Sequence, residues 1–381
     1  MSLKLQSKWQ QDVRRGAPIT SLAVSESGVI YCCTESSSSL LQIDSKNGEL
    51  LHSLELQGGG IVHKMWMDPS RRALYCCGAN GTVTCVKTEL KKGASLQSIL
   101  KLPIDKFLQT SSNCNPSESP AFTNSVKGRR EKTGCSKDSI AVHSCIASPK
   151  FNWIATTFDD STLGDVAVWR VLPPDSVPTF TQNTALLAAT LHGHSASVLS
   201  LAITPDGSIL FTGSYDHTVR AWDTTTWNCI KVLKGHGGGV RAMAVSADGH
   251  NLYTAGADNT VRAWNIGTWV CMRLMHGRHE ETTWPAVIAL NTPNTTFLVT
   301  GSTGPFGSST LKTFHPSTGD CLATFSQLEP GKRGGITAIA FSPGGNILYS
   351  GASDGSLAAW ALDSLIAPEK DNKGVKSGFF N

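Results

Sequence analysis

The chain has 381 residues, of which 40% are apolar and 16% charged, and it contains 36 glycines. That balance excludes a disordered, collagenous or coiled-coil chain and suits many short strands joined by tight turns. Thirty-three basic and 29 acidic residues give a formal charge of +4; residues 88–138 carry nine of the former and five of the latter, so the excess sits in one segment. Without a basic stripe on the folded body, nucleic acid is not expected as a partner.

The N-terminal MSLKLQSKWQQDVRRG lacks the apolar centre of a signal peptide, and no run is long enough to span a membrane, so none is expected. Seven related units then follow. Ile19–Asp44 (ITSLAVSESGVIYCCTESSSSLLQID) and Ile61–Val86 (IVHKMWMDPSRRALYCCGANGTVTCV) are the weakest copies, and Ile140–Trp169 keeps IAVHSCIASP and VAVW. Leu191–Asp223 (LHGHSASVLSLAITPDGSILFTGSYDHTVRAWD) and Leu233–Asn265 (LKGHGGGVRAMAVSADGHNLYTAGADNTVRAWN) are the clearest. Trp284–Phe325 is degraded, with Phe314 and His315 in place of the Trp-Asp pair. Gly334–Trp360 (GGITAIAFSPGGNILYSGASDGSLAAW) is again a good copy. Within each unit apolar and small residues alternate at period two between glycine-containing turns, which predicts strands.

Residues 105–138 are polar, Ser/Thr/Asn-rich and basic. They offer too little apolar surface to offset their ordering entropy and are expected to be disordered. Residues 171–183 are expected to form a Pro-containing loop inside the third unit, and 366–381 a flexible tail. The insertion also holds Ser119-Pro120, a conceivable phosphorylation site, and the basic run 127–132. The eleven cysteines follow the repeat: Cys32-Cys33 and Cys76-Cys77 each follow a tyrosine, and Cys229, Cys271 and Cys321 lie seven residues beyond Trp222, Trp264 and Phe314. They are expected in small apolar slots rather than in disulfides, as in a reducing compartment, cytoplasm or nucleus.

The two clearest units match at a fixed offset: His194 with His236, Asp216 with Asp258, Trp222 with Trp264, and Cys229 with Cys271. A period of 40–45 residues with a GH…WD signature marks four-stranded propeller blades. These residues resemble the WD-repeat β-propeller family, over residues 3–365 as a whole. The resemblance implies an all-β fold, a single seven-bladed β-propeller over residues 1–365. It also implies closure by an N-terminal strand, Leu3–Trp9, which supplies the strand that the last unit lacks.

The resemblance further implies hydrogen-bonded tetrads: His194, Thr212, Asp216 and Trp222; then His236, Thr254, Asp258 and Trp264. The last unit keeps Ser350, Asp354 and Trp360, with Lys332 in the histidine slot. A Ser/Thr–His–Asp set invites comparison with a hydrolase. The set recurs in consecutive units and has no strained G-x-S-x-G elbow, so a structural role is expected and no catalytic residue is assigned. No C-x-x-C, H-E-x-x-H or P-loop motif occurs, so no cofactor or metal is expected. Candidate partner-binding residues are Tyr215, His217, Ser195 and Ser197 on the loop face, and Trp227 with Trp269, at equivalent positions on the opposite face. The implied function is a non-catalytic scaffold for other proteins or short peptides; the alternative is a recognition subunit of a larger complex, such as a ubiquitin ligase or a modified-peptide reader.

Overall fold

The computed structural model describes residues 7–13, 17–56, 60–68, 73–78, 81–88, 97–101, 142–148, 152–158, 164–170, 183–276, 284–290, 297–303, 310–326 and 334–361. The expected disordered insertion 105–138, the tail 366–381, Lys332 and all of 171–183 except Asn183 lie outside them.

Among the described residues the fold is all-β, without a helix, and its strands form seven sheets. Blade 1 comprises β2 (Ile19–Val24), β3 (Val29–Thr34), β4 (Ser39–Asp44) and β5 (Leu50–Glu55). Blade 2 has β6 (Val62–Asp68), β7 (Ala73–Gly78), β8 (Thr82–Lys87) and β9 (Gln97–Lys101). Blade 3 has β10 (Val142–Ala147), β11 (Trp153–Phe158), β12 (Val166–Arg170) and β14 (Leu186–Leu191). Blade 4 has β15 (Val198–Ile203), β16 (Ile209–Ser214), β17 (Val219–Asp223) and β18 (Cys229–Leu233). Blade 5 has β19 (Val240–Val245), β20 (Asn251–Gly256), β21 (Thr260–Asn265) and β22 (Cys271–His276). Blade 6 has β23 (Trp284–Leu290), β24 (Leu298–Thr303), β25 (Thr310–Phe314) and β26 (Cys321–Ser326). Blade 7 has β27 (Ile336–Phe341), β28 (Ile347–Ala352) and β29 (Ser356–Ala361). Its fourth strand is β1 (Ser7–Asp12), antiparallel to β29 with Asp12 opposite Ser356 and Ser7 opposite Trp360. The closing strand overlaps the expected Leu3–Trp9 at Ser7–Trp9 and runs on to Asp12; Leu3–Gln6 lie outside the described residues.

The core is divided into seven apolar clusters, one between each pair of neighbouring blades. Strand alternation explains this: side chains of a strand point to both faces of its sheet, and here both faces meet another blade. Blade 7 against blade 1, for example, buries Tyr349, Leu357 and Ala359 with Ile19, Ile30 and Ile43. Every blade thus depends on both neighbours.

Two findings depart from expectation. Asn183–Thr184 (β13) pairs in parallel with Leu100–Lys101 of β9, giving blade 2 a fifth strand on its outer edge. Asn183–Thr184, just before β14, therefore lie against the neighbouring blade. The cysteines also divide into two classes. Cys32, Cys33, Cys76, Cys77 and Cys145 are buried and Cys85 is half-buried, but Cys229 and Cys321 are exposed and Cys271 is half-buried. The latter three begin outer strands, where among the described residues no further strand covers them, so the expectation of apolar slots fails there. All nine are free. Burial pushes the Cys32 thiol up to about 12, which makes it inert.

Trp227 and Trp269 do not form an open pair. Trp227 packs edge-on against Trp153 of blade 3, ring centroids 5.0 Å apart, and Trp269 against Phe211 of blade 4 at 6.4 Å. Each is half-buried, and each clasps the preceding blade. Both have positive φ, 58° and 62°, in a turn whose equivalent residue in blades 1 and 6 is Gly48 or Gly319. In all four turns this residue's N–H donates to the carbonyl four residues earlier, at 2.8–2.9 Å. Left-handed backbone is costly for a bulky side chain, so cross-blade packing must outweigh the strain. Trp227→Ala should cost about 2 kcal/mol, below the range for a fully buried tryptophan. Trp227→Gly should be no worse than Trp227→Ala, because glycine relieves the strain. Urea unfolding that ranks the glycine variant clearly below the alanine variant would contradict this reading.

Candidate functional site

The polar chemistry of blades 4 and 5 starts at the loops entering β15 and β19. His194 and His236 stand there, buried, and face the turns that carry Asp216 and Asp258. His194 Nδ1 lies 2.8 Å from Asp216 Oδ2, and its Nε2 lies 2.7 Å from Thr212 Oγ1. The Trp222 indole N–H donates to that same Thr212 oxygen at 2.9 Å. One assignment satisfies every group: Nδ1–H donates to the carboxylate, and bare Nε2 accepts from the threonine hydroxyl. Blade 5 repeats the chain, with 3.0 Å from His236 to Asp258, 2.7 Å from His236 to Thr254, and 3.0 Å from Trp264 to Thr254.

The carboxylates are held from further sides. Ser195 N–H and the Thr218 hydroxyl donate to Asp216; Gly237 N–H and the Thr260 hydroxyl donate to Asp258. Burial alone would raise both carboxyls. Hydrogen bonds from His194 and Thr218 on one, and from His236, Gly237 and Thr260 on the other, outweigh it and hold both well below the usual carboxylate range. Thr218 and Thr260 follow the turn aspartates by two residues, a spacing that marks an Asx-type turn, yet sequence reasoning passed over them.

Blade 7 brings together only part of its set. The Trp360 indole N–H donates to Ser350 Oγ at 2.7 Å, and Asp354 accepts the Ser356 N–H at 2.9 Å. Blade 3 contains a comparable pair that sequence reasoning did not single out, Trp169 donating to Thr156 at 2.7 Å. Thr212 and Thr254 are fully buried, and their oxygens face Trp and His rather than an open cleft. A buried hydroxyl without access cannot attack a substrate.

The open surface lies just above these chains. Tyr215 is 56% exposed at the tip of the β16–β17 turn, and its N–H donates to Ser197 O at 2.9 Å. Its ring lies over the loop entering blade 5: a Cβ placed on Gly239 would come 3.1 Å from Tyr215 Cδ2. A side chain there would make Tyr215 give way by a few tenths of an ångström. His217, also exposed, occupies the left-handed position of the same turn, with φ 70°. Ser195 is exposed and Ser197 half-buried. The four residues therefore sit on the loops of blade 4, with Tyr215 reaching over the loop that enters blade 5, and Trp227 and Trp269 are tied up elsewhere.

Arg241, on the first strand of blade 5, lies close enough to Tyr215 for the two to act on each other electrostatically, and sequence reasoning did not single it out. In every blade the register of the first strand slips once near its start, at Thr20, His63, His143, Leu199, Arg241, Ala286 and Thr337. Such bulges re-aim side chains at the rim of a ring. Partial burial lowers the Arg241 guanidinium from its ordinary range, with Tyr215 close enough to oppose the shift. The missed signal was Arg241 standing where its clearest counterpart has Leu199. Among the described residues no group of three or more His, Cys, Asp or Glu side chains could hold a metal ion.

The family model for "WD domain, G-beta repeat" matches residues 186–223, 227–265 and 319–360. Nuclear distribution protein PAC1 of Candida glabrata is 36% identical over 95 residues, 23% of this chain and 19% of that protein. WD repeat-containing protein 18 of Homo sapiens is 47% identical over 41 residues, 11% of this chain and 10% of that protein. PAC1 of Candida albicans is 31% identical over 80 residues, 19% of this chain and 16% of that protein. The chain thus spans a fifth or less of the length of these relatives.

Proposed function

We propose that this chain, which belongs to the WD-repeat β-propeller family, is a non-catalytic scaffold whose loop face docks a segment of a partner protein at Tyr215. Propellers of this family support protein interaction by rigid presentation: a closed ring holds many loops at fixed positions. The observation that carries the proposal is the exposed Tyr215 ring seated over Gly239, beside Arg241. A tyrosine backed by backbone gives apolar contact area with little conformational freedom to lose, and its hydroxyl and an adjacent guanidinium supply directional polar contacts. Ser195, Ser197 and His217 would frame the docked segment. Nine free cysteines among the described residues support a reducing compartment, cytoplasm or nucleus.

The experiment is quantitative affinity capture with the intact chain and its Tyr215→Ala variant. Tyr215 is exposed, so the variant should melt like the parent while losing a defined subset of partners at least tenfold. An unchanged partner profile would refute docking at this site.

A further inference from the structure

We infer that the inner channel of the ring holds a second site, which binds a small free phosphate compound at Lys64, between blades 2 and 3. The site stands on channel strands and is independent of the loop-face reading.

The first strands of consecutive blades, β2, β6, β10, β15, β19, β23 and β27, touch one another all the way round and so line the channel. Each presents one equivalent position just past its register slip. Six blades place a neutral residue there: Ser21, Ser144, Ser200, Ala242, Val287 and Ala338. Blade 2 places Lys64. Both faces of that blade are covered by its neighbours, so the exposed Lys64 side chain opens on the channel. The enclosing walls take water from its ammonium and lower it from its ordinary range.

No counter-ion replaces that water. Lys64 makes no ion pair among the described residues, and the groups that act on it electrostatically are the thiols of Cys77 and Cys145. Neither offers an anion: the Cys77 S–H donates to the Lys64 carbonyl at 3.1 Å, and a hydrogen bond with Cys77, together with burial, holds the Cys145 thiol well above its usual range. Among the described first strands the only carboxylate is Asp68, buried four residues further along β6, about 13 Å away in an extended strand. A cation stripped of water without a partner favours an anion. Its surroundings select the kind. His63 and His143, the only imidazoles on these strands, hold the slip positions of adjoining β6 and β10 and are half-buried. An ammonium flanked by two imidazoles suits an anion with several acceptor oxygens, as phosphate has and chloride lacks. Enclosure by the channel walls favours a small free ligand over a phosphate carried on a protein segment.

The test is thermal scanning of the full chain at fixed ionic strength with inorganic phosphate, pyrophosphate or chloride. The two phosphates should raise the melting temperature increasingly with concentration, and chloride should not. Lys64→Met should fold without phosphate and bind it about tenfold more weakly or worse, whereas Lys64→Arg should keep the response. His63→Gln and His143→Gln should each weaken binding about threefold or more. Lys231→Gln, which removes the same charge from the exposed outer strand of blade 4, should respond like the parent. A response that chloride reproduces in the parent would overturn the site without recourse to any variant, and so would one that Lys64→Met retains in full. A short phosphoserine peptide that binds more tightly than pyrophosphate would overturn the free ligand, assigning the phosphate to a partner protein.

Discussion

Removing residues 1–12 should lower the melting temperature by about 10 °C or more, because it removes a whole strand from a closed ring. The lost strand runs opposite Ser356–Trp360, and Val13, the residue after it, packs in the cluster between blades 7 and 1. At about 1 kcal/mol net per hydrogen bond, losing a ladder of several cross-strand bonds approaches the lower end of the stability of an ordinary domain. The effect should spread beyond blade 7, since that blade supports both blade 6 and blade 1 through shared clusters. Thermal scanning of parent and truncated chain checks this, and a peptide spanning residues 1–13 added in trans should restore part of the loss. An unchanged melting temperature would mean that the ring does not depend on its closing strand.

The second large effect should come from His194→Ala. That change leaves Asp216 nearly buried without its main donor and deprives the Thr212 hydroxyl of its acceptor. Leaving a mostly buried carboxylate without a donor, and a buried hydroxyl without its acceptor, costs about 3 kcal/mol. In a double-mutant cycle with Asp216→Asn the coupling should be about 2 kcal/mol, because both changes damage one network. Ser350→Ala in blade 7 should cost less, about 1 kcal/mol, since the acceptor it removes serves the Trp360 indole N–H and no carboxylate loses its donor.

The same carboxylates set the acid response. Asp216 and Asp258 are held below their ordinary range in the folded chain, so the folded state binds fewer protons than the unfolded one. Their stabilisation is complete above the unfolded pKa, about 4, and is lost as pH falls through the lower folded values. Stability measured by urea unfolding should therefore decline below about pH 4, and less steeply in Asp216→Asn.

The sequence made the ring legible where the chain repeats itself. Blades 4 and 5 announce their strands through glycine-containing turns and the 42-residue match of His194, Asp216 and Trp222 with their counterparts. The hydroxyl member could be placed because Gly256 stands where Ser214 does, leaving Thr212 and Thr254. The first two blades were fainter because buried Ile43 and Val86 fill the tryptophan slot without any polar signature. Three features left no usable pattern. Asn183–Thr184 is too short to show periodicity and pairs with a strand more than 80 residues earlier. Trp227 and Trp269 adopt a backbone conformation that residue preference assigns to glycine, so their turn to the preceding blade was hidden. The exposure of Cys229 and Cys321 depends on which strand is outermost, and composition is silent on that.

On the loop face the sequence supplied Tyr215, His217, Ser195 and Ser197 as neighbours within one unit. It also offered Gly237–Gly239 as an open loop of the same face, but not that Tyr215 lies over Gly239 or that the Arg241 charge comes within its influence, since both belong to the next blade and approach Tyr215 only once the ring is formed. Function is therefore expected where one repeat differs from its neighbour: Tyr215 stands where blade 5 has Ala257, and Arg241 where blade 4 has Leu199.

The most direct measurement is hydrogen exchange of the intact chain alone and bound to a captured partner. The account predicts slowed exchange at residues 195–197, 215–217 and 237–239, with the buried strands of blades 4 and 5 unchanged. Protection confined to other loops or to the outer strands, with these three segments unaffected, would contradict it.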